Sequence, residues 1–122
     1  MTKIQNSKQY DLEDRTLAFA KRVRIFVKEL PKTIGTVEDG KQLIKASGSV
    51  GANYIEANEA LSKKDFVMRI KICRKEAKES RYWLKLVEVQ DDEPEQENER
   101  TILVKEATEL MNIFGSILRK SE

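Results

Sequence analysis

From Leu12 onward the apolar positions fall at Leu12, Thr16, Phe19, Val23, Phe26 and Leu30, a 4-3-4-3-4 spacing. That spacing winds one stripe down one side of a helix and predicts helix over about 11–30. Pro31 ends it, because proline disfavours helical backbone before it and has no amide hydrogen to donate. A second stripe, Leu43, Ser47, Val50, Tyr54, Ala57 and Leu61, predicts helix over about 37–61, with Thr36 as its cap and Glu38 and Asp39 at its positive start. Ser62 followed by Asp65 reads as the next N-cap. It opens a helix over about 63–88 with the longest seam of the chain: Phe66, Ile70, Cys73, Ala77, Ser80, Leu84 and Val87. An acidic loop, 88–98, carries Pro94, and the fourth helix covers about 98–119 on Leu103, Ala107, Leu110, Phe114 and Ile117. No segment alternates with period two. The pattern predicts an all-α, up-down-up-down antiparallel four-helix bundle, one domain over 1–122.

Each of three helices also carries a second apolar line. These are Leu17, Ala20 and Val27; Ile72, Trp83 and Leu86; and Val104, Met111 and Leu118. Such lines either widen the core stripe or form a subunit interface, and the pattern leaves both open. The second helix has an oddity of its own, "SGSVGANYIEAN" over 47–58, where two glycines each cost about 1 kcal/mol relative to alanine. Gly48, Gly51, Ala52 and Ile55 lie one step round from the seam, and small residues at that spacing let a neighbouring backbone approach closely. Gly48, Gly51 and Ala52 are therefore expected to be helix-packing residues. Asn53 beside them is expected to be a satisfied interior polar group that fixes register. A phosphate-cradling GxxG loop is the rival. It lacks a flanking sheet and a basic middle residue, and no dinucleotide or P-loop fingerprint is present.

Charge changes the picture more than composition does. Residues 88–99 hold seven acids and no base; without them, 23 bases face 14 acids, so a net charge of +2 becomes +9. The body of the chain is basic, and one acidic stretch hides it. No apolar run reaches the ~18 residues of a membrane span, the N-terminus lacks a signal-peptide core, and the single cysteine suits a reducing cytoplasm. The chain has no histidine, the commonest general base and metal ligand. Cys73 sits on a seam, and the Glu-x-x-His motif of carboxylate-bridged metal bundles cannot occur. No catalysis, metal, cofactor or small-molecule substrate is expected. Glu76 and Glu79 are expected to pair with Arg or Lys of a neighbouring helix or subunit.

The positive signal is a stripe on the third helix. Lys64, Lys71, Arg74, Lys78, Arg81 and Lys85 repeat at 7-3-4-3-4, one residue after the seam, and Lys75 widens the line. Lys21, Arg22, Arg24 and Lys28 form a second cluster on the first helix. A row of cations at helical spacing fits backbone phosphates. Aromatic residues are scarce along it: Tyr82 is adjacent and Trp83 is expected to pack. That argues for phosphate contact rather than base stacking.

The stretch "SGSVGANYIEANEALSKKDFVMRIKICRKEAKESRYWLKL" resembles the bacterial four-helix bundle family first described from open reading frames in intervening sequences of 23S ribosomal RNA. The accessory variability proteins of diversity-generating retroelements are its relatives. The likeness spans nearly the whole chain and is most specific in S-x-G-A-N-x-x-E (Ser49, Gly51, Ala52, Asn53, Glu56) and in E-x-R-Y-W-L (Glu79 to Leu84). The resemblance implies a bundle that assembles as a ring-shaped homopentamer and, for the retroelement relatives, binding of nucleic acid and reverse transcriptase. The long acidic loop and modest total charge depart from that branch and argue against a reverse-transcriptase partner. The function expected is a non-enzymatic, cytoplasmic homo-oligomer that binds nucleic acid, RNA above all, through phosphate. The alternative is a structural module whose basic stripe meets acidic surfaces of subunits or partner proteins.

Overall fold

The computed structural model describes residues 8–122, and four helices fill them: α1 (Lys8–Lys28), α2 (Ile34–Asn58), α3 (Lys63–Leu86) and α4 (Pro94–Ser121). The first seven residues of the expected domain lie outside the described residues. Short links reverse the chain each time, giving an antiparallel bundle whose neighbours round the ring are α1–α2, α2–α3, α3–α4 and, more loosely, α1–α4. The four seams meet in one core. Phe19, Val23, Leu43, Val50, Ile70, Leu84, Leu103, Leu110 and Phe114 are all buried there. Hydroxyls on the seam return their protons to the backbone of their own helix: Thr16 to the Glu13 carbonyl (3.1 Å), Ser47 to Ile44 (3.2 Å) and Ser80 to Glu76 (2.8 Å). Each buried hydroxyl is thereby satisfied, which is why polar residues can stand on these stripes.

The helix ends differ from the sequence expectation. α2 starts at Ile34, because Thr33 rather than Thr36 is the cap: its backbone is extended and its hydroxyl accepts from the Thr36 amide (3.2 Å). Thr36 is buried in the first turn instead. α2 also stops at Asn58, and Leu61, expected on the stripe, is 98% exposed. The link must leave room for Ser62, whose hydroxyl accepts from the Asp65 amide (3.1 Å) and opens α3 as expected. α4 begins at Pro94, which the acidic composition disguises as loop. Proline suits the first helical position, where no amide hydrogen is needed, and Glu95 and Glu97 complement the positive end of the helix.

That corner is tied down. Buried Gln96 donates to the Glu29 carbonyl (2.7 Å) and accepts from the Gln90 amide (3.0 Å). Arg100 aims one guanidinium nitrogen at the carbonyls of Leu84 (3.2 Å), Lys85 (3.1 Å) and Val87, closing the otherwise unpaired end of α3.

The close helix approach occurs at Gly51. A Cβ there would lie 2.8 Å from Thr16 Oγ1 and 3.2 Å from Thr16 Cβ, so α1 and α2 can pack at this distance only without it. Gly48 does not share the role expected of it. A Cβ at that position would meet nothing within 4 Å in the chain. Ala52 is likewise exposed. The seam turns Gly51 toward α1, whereas Gly48, three residues earlier, points past it. Asn53 does join helices: its amide donates to the Ser49 carbonyl (2.9 Å), and its oxygen accepts from Arg69 of α3 (2.9 Å). The second apolar lines mostly widen the core, since Val27, Trp83, Val104, Met111 and Leu118 pack against it half-buried, while Leu17 and Leu86 stay exposed.

Candidate nucleic-acid interface

Because α4 runs antiparallel to α3, its last turns lie beside the first half of α3. Between them opens a groove of about 570 Å³. Lys71, Arg74, Lys75 and Lys78 line it from α3, Arg119 lines it from α4, and Val67, Gly115 and Leu118 contribute its apolar and backbone surface. Gly115 lies beside both guanidiniums: a Cβ there would stand in ordinary contact, 3.6 Å from Arg119 Nη1 and 3.9 Å from Arg74 Nε. None of the five cations forms an ion pair among the described residues. Glu122 also reaches the groove.

The seven cations of the sequence stripe therefore separate. Lys71, Arg74, Lys75 and Lys78 converge. Lys64 extends them along a shallow depression of about 480 Å³ with Lys63, Val67, Met68 and Lys71. Arg81 turns inward, half-buried, and its guanidinium donates to Thr108 Oγ1 (3.4 Å). Lys85 lies at the far end, beside Glu88, Asp91 and Glu97. Arg119 is the member that single-helix periodicity misses. Its signal was two-fold: a basic residue in a last helical turn, and an antiparallel partner carrying cations at the matching height. Tyr82 stands on the outer side of α3, 58% exposed, its ring edge-on to Trp83 (centroids 5.0 Å apart, planes at 81°).

The basic cluster on α1 is partly consumed. Arg22 donates to both carboxylate oxygens of Glu99 (2.9 Å for the Nη2 bond), and Arg15 forks onto Glu106 (2.7 and 2.8 Å) and reaches Glu109 (2.7 Å). These bonds clasp the loosely packed α1–α4 pair and raise the pKa of both arginines above the ordinary value. Glu76 and Glu79 make no ion pair among the described residues, contrary to expectation within the chain. Burial, and then the neighbouring Glu79, push the Glu76 carboxyl upward. Cys73 is fully buried, and burial pushes its thiol up to about 12, leaving no thiolate at neutral pH. Among the described residues, no group of three or more carboxylate or thiol side chains is arranged to hold a metal ion. No described helix is long and apolar enough to cross a membrane.

The acidic corner and the basic groove lie far apart on the bundle. The acidic stretch surrounds the start of α4, and the groove lies at its end. Twenty residues of helix separate Glu95 from Gly115, about 30 Å at 1.5 Å per residue.

No curated protein matches the chain. Among solved structures it is similar to a protein with unknown function from the S23 ribosomal protein family of Bacteroides thetaiotaomicron VPI-5482. The two are 28% identical with a TM-score of 0.75, over 93% of this chain and 99% of that one. A family model described as 23S rRNA-intervening sequence protein matches residues 8–116. The match takes in α1, α2 and α3 whole and α4 as far as residue 116, and the chain belongs to the 23S rRNA-intervening sequence protein family.

Proposed function

We propose that the protein is a non-enzymatic, cytoplasmic homo-oligomer that holds RNA by its phosphates in the α3–α4 groove. One observation carries this reading: five cations from two helices converge on one open groove, and none has an ion-pair partner among the described residues. Guanidinium forks match phosphate oxygens in pairs, and lysines add mobile point charges. The family's name and the S23 ribosomal label of the similar structure favour RNA over DNA. Support for an oligomer comes from the outer side of α2, where Val37 and Ile55 are exposed near open Gly48 and Ala52. The family resemblance makes five the preferred number.

A second reading rests on the acidic corner. Glu88, Asp91, Asp92 and Glu93 are exposed and make no ion pair among the described residues, so the groove of one copy can take the corner of another.

Titration of labelled RNA by fluorescence anisotropy across a salt series separates the two. About four phosphate contacts give a log–log slope near −3 for a single strand. Exchanging Lys71, Arg74 and Lys78 together for glutamate abolishes this binding, Arg119→Glu weakens it, and Lys85→Glu leaves it nearly unchanged. Absence of salt-sensitive binding by the wild type, even at low ionic strength, refutes the RNA reading. A triple variant that instead loses its oligomeric mass in light scattering assigns the groove to a subunit contact.

A further inference from the structure

Lys71, Lys75, Lys78 and Tyr82 follow one another at 4-3-4 along α3, on the side facing away from the seam of Ile70, Cys73, Ala77 and Ser80. Tyr82 thus continues the line of groove cations with a ring. The ring is exposed, yet its orientation is set by the edge-on contact to Trp83, which is itself packed against the core. Four residues of helix separate Lys78 from Tyr82, about 6 Å, within reach of a single nucleotide. An exposed aromatic ring, held by a fixed neighbour and placed one step beyond a phosphate-binding line, is the arrangement that stacks an unpaired base. We infer that Tyr82 is the stacking platform for one base, and that the groove's ligand is single-stranded RNA. This deepens the phosphate reading and rests on it. A duplex keeps its bases inside its own stack and offers Tyr82 none, whereas a single strand offers one at no unpairing cost. Scarcity of aromatic residues on α3 limits this contact to one base and does not remove it.

The test uses the full chain and three probes: an oligouridylate, a phosphodiester strand of equal length with abasic positions, and an RNA duplex. Wild type binds the oligouridylate about 5- to 150-fold more tightly than the abasic strand, the range expected for one aromatic–base stack. Tyr82→Ala removes that difference, and Tyr82→Phe keeps it. The salt slope is the same in all three proteins, since the phosphate contacts are untouched. Trp83, the only tryptophan of the chain, reports independently. Its fluorescence is quenched by the oligouridylate and not by the abasic strand. Equal affinity of Tyr82→Ala and wild type for oligouridylate overturns the inference, as does equal affinity of wild type for the strands with and without bases. A change of oligomeric mass in Tyr82→Ala also overturns it, by assigning the ring to a subunit contact. In all three cases salt-sensitive binding that depends on Lys71, Arg74 and Lys78 leaves the phosphate reading standing. Loss of salt-sensitive binding to all three probes removes both.

Discussion

Two alanine substitutions three residues apart on one helix should move stability in opposite directions. Gly48→Ala adds a methyl where nothing stands within 4 Å, so helix propensity acts alone and stabilises by about 1 kcal/mol. Gly51→Ala gains the same propensity, but its Cβ would lie 2.8 Å from Thr16 Oγ1, roughly half an ångström inside normal contact. Thr16 is buried and its hydroxyl is bonded to the Glu13 carbonyl, so it cannot swing aside without placing its methyl in the same space. Overpacking of this kind costs about 1–3 kcal/mol, which leaves Gly51→Ala about 0–2 kcal/mol less stable than wild type. The two variants should differ by about 1–3 kcal/mol. Unfolding entropy for 122 residues makes 1 kcal/mol worth about 4 °C, so their melting temperatures should be separated by about 4–12 °C in a thermal melt followed by circular dichroism. Adding Thr16→Ala to Gly51→Ala should recover part of the loss, with a coupling energy of about 1–2 kcal/mol. Equal melting temperatures for the two glycine variants would refute the close-approach account. A destabilised Gly48→Ala would show that another chain covers this face in the assembled protein.

Glu76 supplies a pH test. Its native pKa lies above the ordinary 4.5, so the folded state keeps the proton over an interval in which the unfolded chain has lost it. Stability therefore falls as pH rises through that interval, and the loss persists above it. Glu76→Gln should raise the urea midpoint at neutral pH and leave it unchanged well below pH 4.5; a variant no more stable than wild type at neutral pH contradicts the sign. Cys73, buried with its thiol held protonated, should resist iodoacetamide in the folded protein and react once urea unfolds it. Mass spectrometry reads the adduct, and equal rates in both states would place the thiol at the surface.

The bundle was legible because its seams are strict. Nearly all heptad positions from Leu12 to Leu30 and from Leu43 to Ala57 are buried, and the Ser and Thr among them needed only the carbonyl one turn back. Helix ends were less legible, because a cap is decided by backbone geometry that several threonines or a proline could satisfy. Thr33 won over Thr36, and Pro94 opened a helix within a stretch whose acids suggest a loop. Gly48 and Gly51 look alike in sequence, yet they stand about 60° apart round the helix axis, enough to set one against α1 and the other beside open space. The groove was half legible. Four α3 cations were visible as a stripe, but Arg119 joins them only through pairing of two helices, and Arg81 leaves them because Thr108 lies within reach.

The distance between the acidic corner and the basic groove matters for encounter. The acidic corner and the basic groove lie some 30 Å apart, so an approaching polyanion meets each as a separate local field. RNA bound as proposed would be drawn to the groove rather than to the corner. The corner that holds Glu88, Asp91, Asp92 and Glu93 repels a polyanion locally, which would bias its encounters toward the groove. Salt shortens this reach to about 10 Å at 0.1 M, so association should slow with added electrolyte. Between two copies of the chain, a contact of one copy's corner with the other's groove would be head-to-tail, and such a contact propagates unless its rotation closes a ring.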